Sequence, residues 1–144
     1  MKSLTHLLVS FVATVAIAVA ASMSVPAVTH AQTQMGMKIP FDFYVGSEKF
    51  EPGNYIVTVN GAYIKISDGN GHSKFVLTNA VANPAWKGMG GGALIFTHYD
   101  NYYFLSEVRR GGYSTANGLT MAPLEVQVAK ISATREKIAF QSGH

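Results

Sequence analysis

Residues 41–59, FDFYVGSEKFEPGNYIVTV, decide the fold of this chain. Apolar and polar residues alternate in two short segments of it, and the apolar positions are Phe41, Phe43, Val45, Tyr55, Val57 and Val59. Successive side chains of a β-strand point to opposite faces, so each segment predicts a strand with one apolar face. Between the segments, Pro52-Gly53 suits the central positions of a type II turn, with a positive φ at Gly53.

The same pattern continues toward the C-terminus. Asn60-Gly61 and residues 68–71 (DGNG) are turn signals between short alternating segments. The predicted strands are residues 37–44, 54–60, 62–67, 72–80, 93–99 and 102–110, and the glycine-rich residues 83–92 and 111–119 are predicted loops. No long helical segment separates the strands, which disfavours a parallel sheet. The sequence therefore predicts an all-β fold, an antiparallel meander of six or seven strands that forms a small barrel or a sandwich.

The C-terminal tail fits two patterns. Alternation in residues 124–128 favours a seventh strand, whereas Leu124, Val128 and Ile131 have the i, i+4, i+7 spacing of a helix. We predict a strand at residues 124–131, followed by a short C-terminal helix near residues 134–140.

The N-terminus has the pattern of an export signal. Lys2 precedes a long apolar run, and small residues stand at Thr29 and Ala31. A membrane anchor is the competing interpretation, but the run is near the lower length limit for a spanning helix. We predict a signal peptide at residues 1–31 and a single secreted β domain at residues 32–144. This domain is expected in the periplasm or outside the cell, with no stable membrane span after cleavage.

Several predicted strands are apolar on both faces. The neighbouring residues that point to opposite sides are Tyr55 and Ile56, Phe75 and Val76, and Leu94 and Ile95. A sheet face that borders water does not need such residues. We therefore expect part of the second face to be covered, either by the tail or by a partner chain.

Two segments resemble a family of small secreted bacterial β proteins of unassigned activity. The family is marked by a P-F-x-F-x-V-G segment followed by P-x-G-x-Y or P-G-x-Y and a strand. Residues 40–46 (PFDFYVG) match the first part, and residues 52–55 (PGNY) match the second form of the other part. Residues 103–108 (YFLSEV) match a further piece after a turn. The C-terminal portion departs from the family, which has a short charged helix there. The resemblance implies an exported β domain and carries over no catalytic residue.

Charge and composition exclude several classes of function. The chain has 11 lysines and arginines against 8 acidic residues, and only Arg109 and Arg110 are adjacent, so nucleic acid is not an expected partner. It has no cysteine, which excludes disulfides, thiol catalysis and zinc-thiolate sites. The histidines lack the close spacing of a metal motif. We predict neither a metal nor a cofactor.

Five residues are candidates for contact with a ligand or partner. Trp86, the one tryptophan, lies beside Lys87 in the predicted loop and could stack on a sugar ring or anchor a partner. His98, Tyr99 and Glu107 belong to two adjacent predicted strands. His98 and Glu107, with Asp100, could form a polar cluster there, and Tyr99 could join an outer aromatic surface.

These observations favour a non-enzymatic exported domain that acts through surface contacts, in an envelope or extracellular assembly, with a protein partner or with itself. The alternative is a small β-barrel that binds an apolar or carbohydrate ligand near Trp86. A hydrolase that uses His98 and Glu107 is the least favoured hypothesis, because no catalytic motif accompanies the pair.

Overall fold

The computed structural model describes residues 32–82 and 90–142. In these residues every secondary-structure element is a strand except one short helix. The all-β prediction is therefore confirmed. The strands are β1 (Thr33–Ile39), β2 (Phe43–Val45), β3 (Glu48–Phe50), β4 (Gly53–Asn60), β5 (Tyr63–Asp68), β6 (Ser73–Leu77), β7 (Asn79–Ala82), β8 (Ala93–Tyr99), β9 (Tyr102–Arg109), β10 (Thr115–Gly118) and β11 (Glu136–Gln141), and the helix is α1 (Pro123–Ile131).

Two sheets pack face to face, as in a sandwich, and do not close into a barrel. The first sheet has the order β1-β4-β5-β6, with every pair antiparallel. The second has the order β11-β8-β9-β10-β7. The hairpin of β2 and β3 joins the second sheet through one parallel contact, between Tyr44 and Phe104. Of the two predicted architectures, the sandwich is therefore the one observed.

The core lies between the sheets and follows the predicted alternation. On β4, Val57 and Val59 are fully buried, while Ile56 is exposed. Phe43 from the opening stretch is also fully buried and contacts Phe96 of the second sheet edge to face, with ring centroids 5.5 Å apart. The stretch that decides the fold therefore supplies side chains to the interior from both sheets.

Pro40 divides the first predicted strand into β1 and β2, which belong to different sheets. Proline has no backbone N–H, so a hydrogen-bonded ladder is interrupted at that position. The predicted positive φ at Gly53 is wrong, because β4 begins at that residue, and Gly46, in the turn between β2 and β3, has φ of +65° instead.

In the tail, the strand and the helix were predicted in the wrong order. Residues 124–131 form α1, and residues 134–140 contain most of β11, which pairs antiparallel with β8. Pro123 stands in the first turn of α1, where its missing N–H has no intrahelical acceptor to lose. The predicted loop at 111–119 is wrong in part, since β10 occupies residues 115–118 and joins β9 to β7.

Candidate functional site

The free edge of the first sheet carries a group of exposed apolar side chains. Phe75 and Leu77 on β6 are 60% and 79% exposed, and Tyr63, opposite Leu77 on β5, is 37% exposed. They line a shallow depression of about 250 Å³. We call these three residues the edge patch. Single apolar side chains are ordinary on a protein surface, but contiguous ones mark a contact site.

Within residues 32–82 and 90–142, no strand pairs with the outer edge of β6, because β6 is the last strand of the first sheet. The N–H of Thr78 donates to the carbonyl of Ala62 at 2.7 Å, so Thr78 faces β5. Bonded and unbonded positions alternate along an antiparallel strand, which places the backbone groups of Val76 toward β5 as well. The N–H and C=O groups of Phe75 and Leu77 therefore point outward, beside their exposed side chains.

Glu48 balances the charge of Lys74, the neighbour of the edge patch on β6. Lys74 lies on the inner face of β6, and its ammonium is 2.6 Å from a carboxylate oxygen of Glu48. The ring of His72 is 2.7 Å from the other oxygen, and hydrogen bonds from Lys74 and His72 hold the pKa of the Glu48 carboxyl below its usual value. An inward lysine can protect an edge strand from pairing, but here a carboxylate balances its charge.

A polar cleft of about 530 Å³ opens next to this ion pair, at the end of the first sheet. The rings of Phe50 and His72, 4.9 Å apart, form part of its lining. Asn54, Asp68 and Asn70 add amide and carboxylate groups. The amide and carboxylate groups of this cleft are hydrogen-bonding partners that a small polar ligand could use.

His98 and Glu107 do not form the predicted polar cluster. His98 stacks on Tyr103 with centroids 4.2 Å apart, on the inner face of β8 that also carries Phe96. Glu107 accepts a hydrogen bond from Lys137, which is opposite Thr97 and so lies on the other face. The two side chains are therefore on opposite sides of the second sheet.

Asp100, the third member of that predicted cluster, accepts a hydrogen bond from the Thr134 hydroxyl at 2.8 Å. Glu107 forms ion pairs with Arg109 and Lys137. His98, Asp100 and Glu107 therefore each have separate partners.

Tyr99 is not part of an outer aromatic surface, because α1 covers it. It is 1% exposed and packs with Phe104 and Val128, and its hydroxyl donates to Glu125 at 3.4 Å. Tyr99 therefore fixes the helix to the second sheet. Trp86 and Lys87, the two loop candidates, lie outside the described residues.

The edge patch includes part of the second apolar face that was noted in the predicted strands. Ile95, on the same face of β8 as Tyr99, is 3% exposed, so this face of the second sheet is closed to solvent at that position. Phe75 remains exposed, and Ile56 on the same face is 51% exposed. Sequence alternation finds these residues but does not reveal that β6 ends its sheet, because strand order is a tertiary property.

Within residues 32–82 and 90–142, no helix has the length and hydropathy to cross a membrane. Nor does any group of three or more histidine, aspartate or glutamate side chains in that part of the chain approach closely enough to hold a metal ion.

Comparison of the chain with family models, curated proteins and solved structures finds no match. The resemblance of residues 40–59 to the small secreted β proteins stays a prediction, and the geometry of the edge patch is the strongest guide to function.

Proposed function

We propose that this protein is an exported, non-enzymatic β domain that binds another protein through the free edge of its first sheet. The supporting observation is the edge patch, where the exposed side chains of Phe75 and Leu77 belong to the same strand as the outward backbone groups. A strand added to such an edge gains main-chain hydrogen bonds and apolar contacts together.

Export is part of this proposal and rests on the pattern of residues 1–31. Every strand and helix described begins after Gln32, so cleavage before that residue removes no element of the sandwich. N-terminal sequencing of the protein recovered from the periplasm or medium should give Gln-Thr-Gln-Met-Gly. Retention of Lys2 in the recovered protein would contradict cleavage.

Site-specific photocrosslinking in the producing cells tests the docking surface. A photoreactive residue at position 77 should give covalent protein adducts after illumination. The control is position 131, because Ile131 is 84% exposed and apolar but belongs to α1, which packs on the second sheet. Equal yields at both positions, or no adduct at 77, would contradict a docking role for this edge.

A second candidate function, binding of a small polar ligand such as an oligosaccharide, is favoured by the cleft beside Phe50 and His72. Calorimetric titration with a panel of soluble oligosaccharides tests it. Binding that is lost in an Asn54→Ala, Asn70→Ala double variant would support this function. No heat from the panel would argue against carbohydrate as the ligand.

A further inference from the structure

We propose that the partner at this edge is a second copy of the chain, with two β6 strands pairing antiparallel about a two-fold axis at Val76. This inference rests on the proposed docking function. The pairing would join two four-stranded sheets into one continuous sheet. It needs no change in the described fold, because no strand of the described residues bonds to the outward backbone groups of β6.

The backbone and the side chains together select one register. The outward positions Phe75 and Leu77 must meet outward positions of the partner strand, since only these have backbone groups free to bond. When Phe75 is opposite the partner's Leu77, both exposed apolar residues of each strand meet an apolar residue. In the next register toward the start of β6, where outward positions again meet, Leu77 would be opposite the partner's Ser73. Leu77 would then lose its apolar contact.

The neighbouring strands extend this complementarity. Lys65 is opposite Phe75 and Tyr63 is opposite Leu77 within one copy. Across the dimer, one row of side chains would run Lys65, Phe75, the partner's Leu77 and the partner's Tyr63. The second row repeats this order in reverse, so the two Lys65 ammonium groups stand at opposite corners of an apolar block. Lys65 already lies over the ring of Phe75, 5.5 Å from its centroid.

Charge also favours this register. The proposed register places Lys74 opposite the partner's Thr78. If the strand were shifted by two pairs toward the start of β6, Lys74 would be opposite the partner's Lys74. Like charges directly opposite each other destabilise a strand pair. The Glu48 carboxylate also stays paired with Lys74 in each copy, so the pairing leaves the charge of Lys74 balanced.

The area involved predicts a weak dimer. Large apolar side chains present roughly 150–250 Å² each, so the exposed fractions of the edge patch amount to roughly 300 Å² in each copy. With the paired backbones, the total is on the order of 1,000 Å², near the lower limit for a specific interface. Association should therefore appear by sedimentation between roughly 1 μM and 1 mM.

Single-cysteine variants test the register, because the chain has no cysteine of its own. Val76 would face its own copy at an unbonded pair, where Cα atoms are roughly 4.5 Å apart, close enough for a disulfide. With an added oxidant, Val76→Cys should form a covalent dimer. Gln34→Cys, exposed on β1 at the other end of the sheet, should not. Equal dimer yields from both variants would overturn the proposal.

Charge exchange gives an independent test that does not change the half-buried Val76. Phe75→Lys and Leu77→Glu should each weaken self-association by about tenfold or more. An equimolar mixture of the two variants should restore association, because the introduced lysine of one chain is then opposite the introduced glutamate of the other. Ile131→Lys should associate like the unchanged chain. No association of the unchanged chain up to about 1 mM, or no recovery in the mixture, would overturn the two-fold pairing.

The photocrosslinks separate this inference from the proposed function. Adducts at position 77 with twice the mass of the chain support the second copy as partner. Adducts with a different protein alone retain the docking surface and overturn self-pairing, and the absence of any adduct contradicts both.

Discussion

Glu125 is a carboxyl group buried where α1 meets the second sheet. It is 5% exposed, and it accepts a hydrogen bond from the Tyr99 hydroxyl. Burial raises the pKa of Glu125, although Tyr99 and the charge of Arg135 act in the opposite direction. The raised value means that the folded state favours the protonated carboxyl, so this group stabilises the fold at acidic pH and the contribution is lost as the pH rises through its folded pKa.

Replacing Glu125 by glutamine should therefore stabilise the protein at neutral pH. Glutamine keeps the size of the protonated acid and removes the cost of burying a charge, a gain of about 1 kcal/mol at pH 7. The two proteins should unfold alike at pH 4, because most of the glutamate is then protonated. Urea denaturation at both pH values measures the difference. A glutamine variant that is less stable at pH 7 would show that the carboxylate is the favoured form.

Glu107 has the opposite electrostatic environment and should respond in the opposite sense. Burial acts to raise its pKa, but hydrogen bonds from Lys137 and Arg109 outweigh burial and lower it. Its contribution to stability is therefore present at neutral pH and is lost as the pH falls through the folded pKa.

Glu107→Gln should lose about 2 kcal/mol at pH 7, because it leaves two cations without their shared carboxylate. The loss should shrink as the pH falls through the lowered pKa of Glu107, because the glutamate then becomes protonated. Denaturation curves of this variant beside those of Glu125→Gln provide the check, since the two differences from the unchanged protein should have opposite signs at pH 7.

At the level of the elements, the glycines after β9 are a structural requirement. A Cβ on Gly111 would lie 2.2 Å from the carbonyl oxygen of Gly91, a backbone atom that cannot move aside. Gly111→Ala should therefore destabilise the protein by about 2 kcal/mol. Gly36→Ala on β1 is the matched control, because its Cβ would meet nothing within 4 Å. Thermal unfolding of the two variants measures the difference, and equal midpoints would contradict the close approach.

The elements that were predicted from the sequence are those that local rules specify. Alternation identifies β4 and the β8–β9 hairpin because each has a buried face, and the turn residues fix the ends of β5. The tail was misassigned because Leu124 and Val128 fit both periods, with Val126 completing the strand pattern and Ile131 the helical one. The choice depends on Tyr99 and Phe104, which pack against one face of the helix. Local sequence cannot show such a contact between distant segments.

For the same reason, the sequence predicted the apolar residues of the candidate site but not their position at the edge of a sheet. The two-sided apolar pattern at Phe75 predicted a covered surface, and Phe75 belongs to the edge patch. The order of strands in the first sheet gives β6 a single described neighbour, β5, and this order includes the long-range pairing of β1 with β4. The predicted residues His98 and Glu107 were close in the hairpin, but a β-bulge between Ile95 and Phe96 and the strand alternation place them on opposite faces.

The whole molecule depends on β1, the strand nearest the predicted cleavage position. β1 pairs with β4 from Thr33 to Ile39, and its three large buried residues are Met35, Met37 and Ile39. Burying each is worth about 1.5–3 kcal/mol, so their sum is comparable to the whole stability of a small domain, roughly 5–15 kcal/mol. A chain that begins at Gln32 should fold cooperatively, whereas one that begins at Pro40 should remain unfolded or molten. Near-ultraviolet circular dichroism and urea denaturation of the two chains test this, and a shared midpoint would show that the sandwich does not need its first strand.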